Sequence, residues 1–487
     1  MIRPVTKYTA LYKTPFLLAL VVLFAVVLRL YHIDRESLWL DESSSYWWAK
    51  SSPIEIVTRV AGDAHTPLYY LILHYWMKIS GDSDWAIRLL SAIFGISAIP
   101  VVFQIGKLLF SERFGVVAAL FLAVSGFHIQ YSQEARPYSL YFLLTSVSVL
   151  FTILAYKKIR YAWFGYIVTT ALLLYTHNTA VLAVVAIMLF YLILAWPWRL
   201  QANTSFLVAT LVVLILYTPW IPVYLSQLTL VQGDMWTPAL TVKQALKTLQ
   251  KLVLFPQRIS FLGWIQYGLL CLPFSILLVS LPPLWAKEKR ILIAMGFLFL
   301  IPVGINLIFS TTIHNIFLLR LLIPGLLVLP FLWATPILME RAASYRKLAM
   351  TAMISMFLIS LAGSIHFLLH NFKEPWRDLV ETFQDNYKPG DEVVYLMAYN
   401  KKPFARYLSP NFYDLAVVTL EEDKIENAAL RAPKTTDVRL WLVRRYGGIK
   451  SKDKARIYRT VSWLDANYKK LSEWKFKNLE MVLYEAP

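Results

Sequence analysis

The sequence predicts a polytopic α-helical membrane protein that ends in a soluble α/β domain. Of the 487 residues, 58% are hydrophobic and 16% are charged, and the mean hydropathy is +0.53. A soluble domain has roughly 25% charged residues. The apolar residues form many separate runs long enough to cross a bilayer as helices. From about residue 371 onwards these runs shorten to strand length, which indicates a second domain.

About eleven transmembrane helices are predicted from the lengths of the apolar runs and the charges between them. They cover about residues 14–31, 84–110, 114–130, 138–156, 162–176, 179–196, 205–222, 261–285, 291–310, 318–338 and 348–369. Lys and Arg accumulate in alternate short loops, which the positive-inside rule assigns to the cytoplasm. The net charge of +18 therefore reflects topology, and nucleic acid is not an expected partner. The same alternation predicts that residues 371–487 are extracytoplasmic, outside the inner (plasma) membrane.

The first outer loop, about residues 32–83, contains two adjacent carboxylates, Asp41 and Glu42, among Trp and Tyr residues. Aromatic rings prefer the membrane interface, so we expect the pair just outside the hydrocarbon. Neighbouring side chains in an extended segment point apart. One acid can then act as a general base while the other holds a hydroxyl group or a metal. A solvated acidic loop is the alternative. The apolar segment 65–76 is too short to span and is predicted to be an interfacial helix.

The predicted topology gathers polar residues at the outer surface and leaves the middle of the spans almost uncharged. These residues are Asp41, Glu42, Asp63, His65, Gln133, Glu134, Arg136, His177, Asn178, Asp234, His314 and Arg320. A transporter would place such groups near the bilayer midplane, so the pattern favours chemistry on a lipid-borne molecule. Arg136 and Arg320 are expected at phosphate depth, where a guanidinium binds well. Snorkelling of the arginines, packing of His65 and a Glu134–Arg136 ion pair are the alternatives.

The sequence offers one cysteine and few candidate metal ligands. The single cysteine, Cys271, excludes an internal disulfide, a cysteine metal site and a cysteine redox pair. A divalent metal could be held by Asp41 together with Glu42, Asp63 or Glu134, but their spacing does not establish such a site. No other cofactor is predicted.

Residues 371–487 alternate strand-like and helical patterns. Strands are predicted at 392–396 and 437–443, helices at 376–387 and 453–468, and a turn at 388–391. This order predicts a small α/β domain with its own core. It has no Gly-rich phosphate loop, so we expect it to position substrate or act as a lid.

Several motifs, in order along the chain, resemble those of one enzyme family. They are Trp39-Leu40-Asp41-Glu42, His65-Thr66-Pro67-Leu68-Tyr69-Tyr70, Tyr131-Ser132-Gln133-Glu134-Ala135-Arg136-Pro137-Tyr138, Arg320-Leu321-Leu322-Ile323-Pro324 and Lys373-Glu374-Pro375-Trp376-Arg377-Asp378. Together they resemble the GT-C membrane glycosyltransferases, in the bacterial branch related to dolichyl-phosphate-mannose protein mannosyltransferases and the lipid A aminoarabinose transferase. The chain departs from this pattern at Thr66, where proline is usual, and at Leu321, where tyrosine is usual.

The resemblance implies a GT-C-like catalytic domain over residues 1–370. It implies a hexosyl- or pentosyltransferase that moves a sugar from a polyprenyl-phosphate donor to an acceptor hydroxyl on the outer face of the membrane, usually with inversion. Asp41 would be the general base and Glu42 would orient a substrate, while Arg136 and Arg320 would bind the donor phosphate. The substrate cavity would include His65, Gln133, Glu134, Tyr138 and His177. Sugar and acceptor stay open, since a lipid, a glycan or a protein would each fit; a transporter or flippase of a lipid-linked substrate is the alternative function.

Overall fold

The computed structural model is mainly helical and divides into two compact units. The helical unit consists of Met1–Ile33 and Ser51–His370, and the sheet unit consists of Asp34–Lys50 and Asn371–Pro487. The structure describes residues 6–198, 200–233, 239–254, 271–313, 315–340, 345–412, 417–419, 439–446 and 451–485. The sheet unit takes in residues 34–50, which the sequence analysis assigned to the membrane domain.

The helical unit contains helices of very different lengths. Those in its described residues are α1 Thr6–Leu30, α3 Pro53–Ala61, α4 Leu68–Ser80, α5 Asp84–Leu109, α6 Glu112–Ala123, α7 Gly126–Ser132, α8 Tyr138–Tyr156, α9 Ala162–Leu174, α10 Ala180–Leu194, α11 Leu200–Tyr217, α12 Ile221–Gly233, α13 Val242–Leu254, α14 Cys271–Thr312, α15 Ile323–Leu326, α16 Val328–Ala334 and α17 Arg346–Leu369. Helix α2, Leu40–Ala49, belongs to the sheet unit. The helix predicted near residues 65–76 is therefore present as α4.

Membrane-spanning helices are present, although their number in the described residues is smaller than the predicted eleven. Five helices are long and apolar enough to span a membrane, and up to seven if each of two bent pairs counts as one span. Shorter apolar helices cover Thr14–Leu30, Ala162–Leu174 and Ala180–Leu194. The span count and the side of each loop remain predictions.

Two predicted spans are bent rather than straight. Helices α6 and α7 meet at an angle of 62°, and residues Leu319–Leu326 meet Val328–Leu338 at 51°. A broken helix leaves backbone carbonyls without intrahelical partners, which is costly away from water. At the α6–α7 break the buried Arg29 guanidinium donates to the carbonyl oxygens of Leu122 and Ala123 at 3.1 and 3.0 Å. It also donates to His128 Nδ1 at 2.8 Å.

Helices α5 and α6 cross so closely that only glycine fits at the contact. A Cβ added to Gly115 would lie 2.4 Å from the Phe103 carbonyl oxygen, and one added to Gly106 would lie 2.8 Å from the Gly115 Cα. Small residues at membrane helix crossings permit this kind of backbone approach. Helix α6 therefore packs directly against α5, and α6 and α7 together lead to the turn at 133–137.

The prediction of a long outer loop at about residues 223–260 is wrong for the described part of this segment, which is helical. Helices α12 and α13 occupy it, and residues 234–238 and 255–260 lie outside the described residues. In α13, Lys243 and Lys247 alternate with Leu246 and Leu249, an amphipathic helical pattern that overrides the loop prediction. Helix α14 covers residues 271–285 of the predicted eighth span and all of the predicted ninth, with one non-helical residue, Glu288, between them. Residues 261–270 of the eighth span lie outside the described residues.

The sheet unit is the predicted α/β domain. Its further elements are helices α18 Trp376–Asn386, α19 Lys401–Tyr407 and α20 Ser451–Asn467, and strands β1 Glu392–Tyr395, β2 Val417–Thr419, β3 Arg439–Arg445, β4 Lys469–Phe476 and β5 Leu479–Glu485. The strand order is β2-β1-β3-β5-β4. Strand β1 pairs in parallel with β2 and β3, whereas β5 pairs antiparallel with β3 and β4.

Both faces of this sheet are covered by apolar side chains. Trp376 and Phe383 of α18 pack with Trp441 on one face, and Leu464 of α20 packs with Leu442 on the other. Alternate residues of β1 and β3 supply the two faces, as expected of strands buried on both sides. The predicted strands and helices are thus confirmed where the structure describes them.

Candidate functional site

The two adjacent acids lie in the first turn of helix α2, not in the extended loop that the sequence predicted. Trp39 is the extended N-cap residue, Leu40 is the first residue of the helix, and Asp41 and Glu42 are its second and third. Carboxylates are favoured at a helix N-terminus because the unpaired backbone N–H groups there carry partial positive charge. Neighbours on a helix diverge by about 100°, so the two carboxylates still point apart. Asp41 is half-buried, while Glu42 is fully buried.

Glu42 forms an ion pair within the sheet unit. Lys373 Nζ lies 2.9 Å from Glu42 Oε2, and the Lys373 side chain is only 13% exposed. The same residue's backbone N–H donates to Glu36 Oε1 at 2.7 Å, and the Phe372 N–H donates to the same oxygen. The acidic motif, Asp41-Glu42, and the segment that follows α17 are therefore joined by the ion pair of Glu42. Backbone hydrogen bonds to the nearby Glu36 hold the same two segments together.

Further hydrogen bonds hold residues 34–50 against the rest of the sheet unit. Tyr407 accepts the Leu38 N–H at 2.6 Å, and Trp47 Nε1 donates to the Lys402 carbonyl oxygen at 2.9 Å. The Arg406 guanidinium lies 4.3 Å from the centroid of the Tyr46 ring, within range of a cation–π interaction. Helix α2 is thus an integral part of this unit.

A second polar cluster surrounds His177, in the turn between α9 and α10 of the helical unit. Its ring stacks on Tyr141 with centroids 4.8 Å apart and an interplanar angle of 3°. Tyr138 lies 6.0 Å from it, and the buried Arg136 guanidinium lies 5.7 Å from the Tyr138 ring. The predicted residues Arg136, Tyr138 and His177 are thus brought together.

Arg320 joins this cluster electrostatically. Burial, and secondarily the positive charges of Arg136 and Arg320, lower the pKa of His177 to about 3. The imidazole is therefore neutral near pH 7. Its Nδ1 accepts the Thr179 N–H at 3.2 Å, which assigns the ring hydrogen to Nε2. The cluster combines two guanidinium groups with a neutral hydrogen-bond donor, an arrangement suited to an anionic ligand.

Glu134 and Gln133 occupy buried positions beside Arg136. Gln130 Nε2 donates to Glu134 Oε1 at 3.0 Å. The Gln133 amide donates to the carbonyl oxygens of Arg29 and Tyr31 at 3.1 and 3.0 Å, and so secures the end of α1. These described hydrogen bonds of Gln133 are to the backbone at the end of α1. The sequence analysis had assigned Gln133 to the substrate cavity.

Gln227 of α12 connects two of the predicted site segments, and the sequence analysis missed it. Its Nε2 donates to the carbonyl oxygens of Asp63 and His65 at 2.6 and 2.8 Å. Its Oε1 accepts from Asn178 Nδ2 at 3.0 Å, next to His177. Gln227 therefore fastens the segment carrying His65 to the turn carrying His177. No local sequence signal marks this residue, whereas Lys373 lies in a motif quoted above.

The metal candidates do not form a cluster within the part of the chain that the structure describes. No group of three His, Cys, Asp or Glu side chains that could hold a metal gathers there. Asp63 is exposed, and its Oδ1 accepts the Ala64 N–H at 2.6 Å. Asp234 and His314, predicted at the outer surface, lie outside the described residues.

Comparisons with known proteins concern both sequence and fold. Residues 64–222 match the family model described as dolichyl-phosphate-mannose-protein mannosyltransferase. No curated protein sequence matches the chain. The structure of ArnT from Cupriavidus metallidurans in the apo state is 12% identical, with a TM-score of 0.59 and coverage of 98% of each chain.

Further solved structures share this fold. The C. metallidurans ArnT bound to undecaprenyl phosphate is 12% identical, covers 99% of this chain and 98% of its own, and has a TM-score of 0.52. The archaeal oligosaccharyltransferase AglB from Archaeoglobus fulgidus, in complex with an inhibitory peptide and a dolichol-phosphate, is 12% identical with a TM-score of 0.54. That match covers 96% of this chain and 74% of AglB.

The chain has the GT-C fold of the membrane glycosyltransferases. The resemblance stated from the motifs is thereby confirmed. The family match contains His65, Glu134, Arg136 and His177, whereas Asp41 and Arg320 lie outside it. Roles of individual residues are considered below.

Lys373→Met is expected to destabilise the protein by about 3–5 kcal/mol, because it leaves the Glu42 carboxylate buried without its cation. Glu42→Gln combined with Lys373→Met should lose less than the sum of the single changes. Thermal unfolding of the purified full chain in detergent measures both effects. Lys287→Met breaks the exposed pair with Glu340 and is the control, with an expected loss within about 1 kcal/mol. Equal losses for the two lysine variants would contradict this account.

The free energy of unfolding should fall as the pH drops from about 6.5 towards 3, in part because of His177. Over this range the unfolded chain protonates His177, whereas the folded protein, with a pKa of about 3, does not. Above pH 7 this residue contributes no pH dependence. We expect His177→Gln to flatten the decline in melting temperature between pH 7 and pH 5. Parallel slopes for variant and wild type would show that His177 is not held neutral.

Proposed function

We propose that the chain is an integral-membrane glycosyltransferase that moves a sugar from a polyprenyl-phosphate donor to an acceptor hydroxyl. The observation that carries the proposal is the polar cluster in which Arg136, Tyr138 and His177 lie together, under the positive charge of Arg320, within a GT-C fold. ArnT with bound undecaprenyl phosphate and AglB with bound dolichol-phosphate support a lipid-phosphate donor. By the positive-inside rule, the reaction takes place on the extracytoplasmic face of the inner membrane.

In this proposal the acceptor oxygen attacks the anomeric carbon and Asp41 takes its proton. The bond between the anomeric carbon and the phosphate oxygen breaks, and polyprenyl phosphate leaves with the electron pair, so that the sugar configuration inverts. Asp41 is assigned as the general base because its side chain is only half-buried, unlike that of Glu42, and so can reach an acceptor hydroxyl group. Glu42, fully buried against Lys373, holds α2 in position and orients Asp41.

Arg136 and Arg320 are assigned to the donor phosphate. A leaving phosphate gains negative charge at its bridging oxygen, and preorganised guanidinium groups stabilise that charge in the transition state. His177, with its hydrogen on Nε2, adds a neutral donor. Tyr138, Glu134 and His65 are assigned to the substrate cavity, and Gln133 and Gln227 are positioning residues. A hexose or pentose donor, and a lipid, glycan or protein acceptor, fit these assignments equally.

A transporter of a lipid-linked substrate is the second candidate, since it would also bind polyprenyl phosphate. It would move the donor across the membrane without consuming it. Neither α9 nor α10 carries an Asp, Glu, Lys, Arg or His side chain, which favours the transferase because a transport route needs such groups within the spans.

Asp41→Asn should abolish sugar transfer, with a loss of roughly 10²–10⁴-fold, as for removal of a general base. The measurement is mass spectrometry of envelope glycolipids, glycans and glycoproteins from cells that carry wild type, variant or no protein. Asp385→Asn, an exposed acid on α18, is the matched control and should retain the product. A folded, inserted Asp41→Asn protein with full product would refute this mechanism.

Arg136→Gln and Arg320→Gln should each weaken binding of undecaprenyl phosphate by about tenfold or more, since each removes a charge-assisted hydrogen bond. Titration of the purified full chain with this lipid measures the affinity. Arg320 is half-buried, so its variant remains informative if Arg136→Gln fails to fold. Arg160→Gln, in an exposed turn, is the control. Unchanged affinity in both site variants would exclude a phosphate role.

A further inference from the structure

A large apolar cavity lies within the helical unit, beside α13 and α14. Its volume is about 1060 Å³. The described lining is almost entirely apolar and includes Phe114, Leu246, Met295, Phe299 and Trp333. Pockets for drug-sized ligands have volumes of roughly 300–1,000 Å³. The cavity is therefore suited to a ligand with long hydrocarbon chains.

Three polar side chains of α13 also line this cavity, and they lie on one face of the helix. Lys243 and Lys247 are exposed, so their ammonium groups can stay hydrated while their stems cover apolar surface. Gln250 is only 9% exposed, and its Nε2 has no hydrogen-bond partner among the described residues. A buried unpaired donor is destabilising, and an oxygen atom of a ligand would remove that cost by accepting its hydrogen bond. The apolar lining thus suits a hydrocarbon chain, the two lysines suit an anionic group, and Gln250 suits an acceptor oxygen.

The cavity lies at the basic ends of the helices. Phe110, in its lining, follows α5 and comes just after Lys107, while Trp285 precedes Lys287. Lys287 is ion-paired with Glu340 at 2.6 Å. The positive-inside rule assigns the loops after Phe110 and Trp285 to the cytoplasm, although it predicted the segment that carries α13 to be extracytoplasmic. Because α13 borders the same cavity as Phe110 and Trp285, its lysines belong with the cytoplasmic leaflet, where anionic phospholipids attract lysine side chains.

We propose that this cavity is a binding site for an anionic glycerophospholipid. Its acyl chains contact the apolar lining, its phosphate lies near Lys243 and Lys247, and an ester carbonyl accepts a hydrogen bond from Gln250. The polyprenyl phosphate proposed above is a different ligand, assigned to Arg136 and Arg320, and neither arginine belongs to the described lining of this cavity. The lipid site therefore does not depend on glycosyl transfer.

Filling the cavity tests the contribution of its apolar part. A Cβ added to Gly296, which lines the cavity on α14, meets no atom within 4 Å, so the ring of Gly296→Phe can enter it. Gly304 lies on the same helix and is equally open, but it is absent from the described lining. Gly304→Phe is therefore a matched control with the same change in helix propensity.

Removing the charges tests the head-group contacts. Lys243→Gln combined with Lys247→Gln keeps the apolar lining intact. The control removes the same charge from an exposed loop, as Lys157→Gln combined with Lys158→Gln.

Native mass spectrometry of the delipidated full chain, titrated with phosphatidylglycerol, gives the affinity of each protein. We expect both site variants to bind about tenfold more weakly than wild type and both controls to match it. Wild type should prefer phosphatidylglycerol to phosphatidylcholine, and undecaprenyl phosphate should not displace it. The proposal is overturned if the site variants bind like their controls, if the two phospholipids bind equally, or if undecaprenyl phosphate displaces phosphatidylglycerol.

Discussion

The ion pair between Glu42 and Lys373 is the interaction on which the acidic motif depends. A fully buried carboxylate requires a cation, because removal from water penalises its charged form. That cation comes from a residue 331 positions later, just after α17. Helix α2, and Asp41 with it, is therefore held as part of the sheet unit. The proposed general base therefore belongs to the same compact unit as the C-terminal domain, in whose sequence we recognise no catalytic motif.

The helical unit meets a related constraint at its broken helices and turns. Where helices stop inside apolar surroundings, their carbonyl groups need donors from elsewhere. Arg29 supplies them at the α6–α7 break, and Gln227 supplies them to the segment that precedes α4. Each donor also reaches a second element, His128 for Arg29 and Asn178 for Gln227. Satisfying the backbone therefore also positions the turns around Arg136 and His177.

The two ends of the helical unit differ in the kind of positive charge they carry. Arg136 and Arg320 act on the neutral His177 at one end, and planar guanidinium groups suit defined phosphate geometry. Lys243 and Lys247 are exposed beside an apolar cavity at the other, and hydrated ammonium groups suit a less specific anionic head group. The two proposed ligands differ accordingly, one a reactant and the other a lipid of the surrounding bilayer.

Part of the site could be predicted from short motifs, and part could not. Arg136 and His177 were predicted together because both lie at the outer ends of apolar runs, and Tyr138 was added by the motif resemblance; the three residues do converge. Gln227 could not be predicted, since a glutamine in an apolar segment has no distinguishing pattern and its partners are distant in sequence. The loop predicted around α13 was wrong because the apolar residues and lysines of this segment are spaced as in an amphipathic helix, a pattern that the prediction did not use.

The sequence by itself determined the membrane class, the α/β domain and the motif family, because hydrophobic periodicity and charge placement are local properties of the chain. It also determined which residues carry charge at the ends of the helices. Only the tertiary structure decided that Asp41 lies on a helix of the sheet unit and that α13 borders a cavity. These features arise from contacts between residues far apart in the chain, and such contacts leave no periodic signal in the sequence.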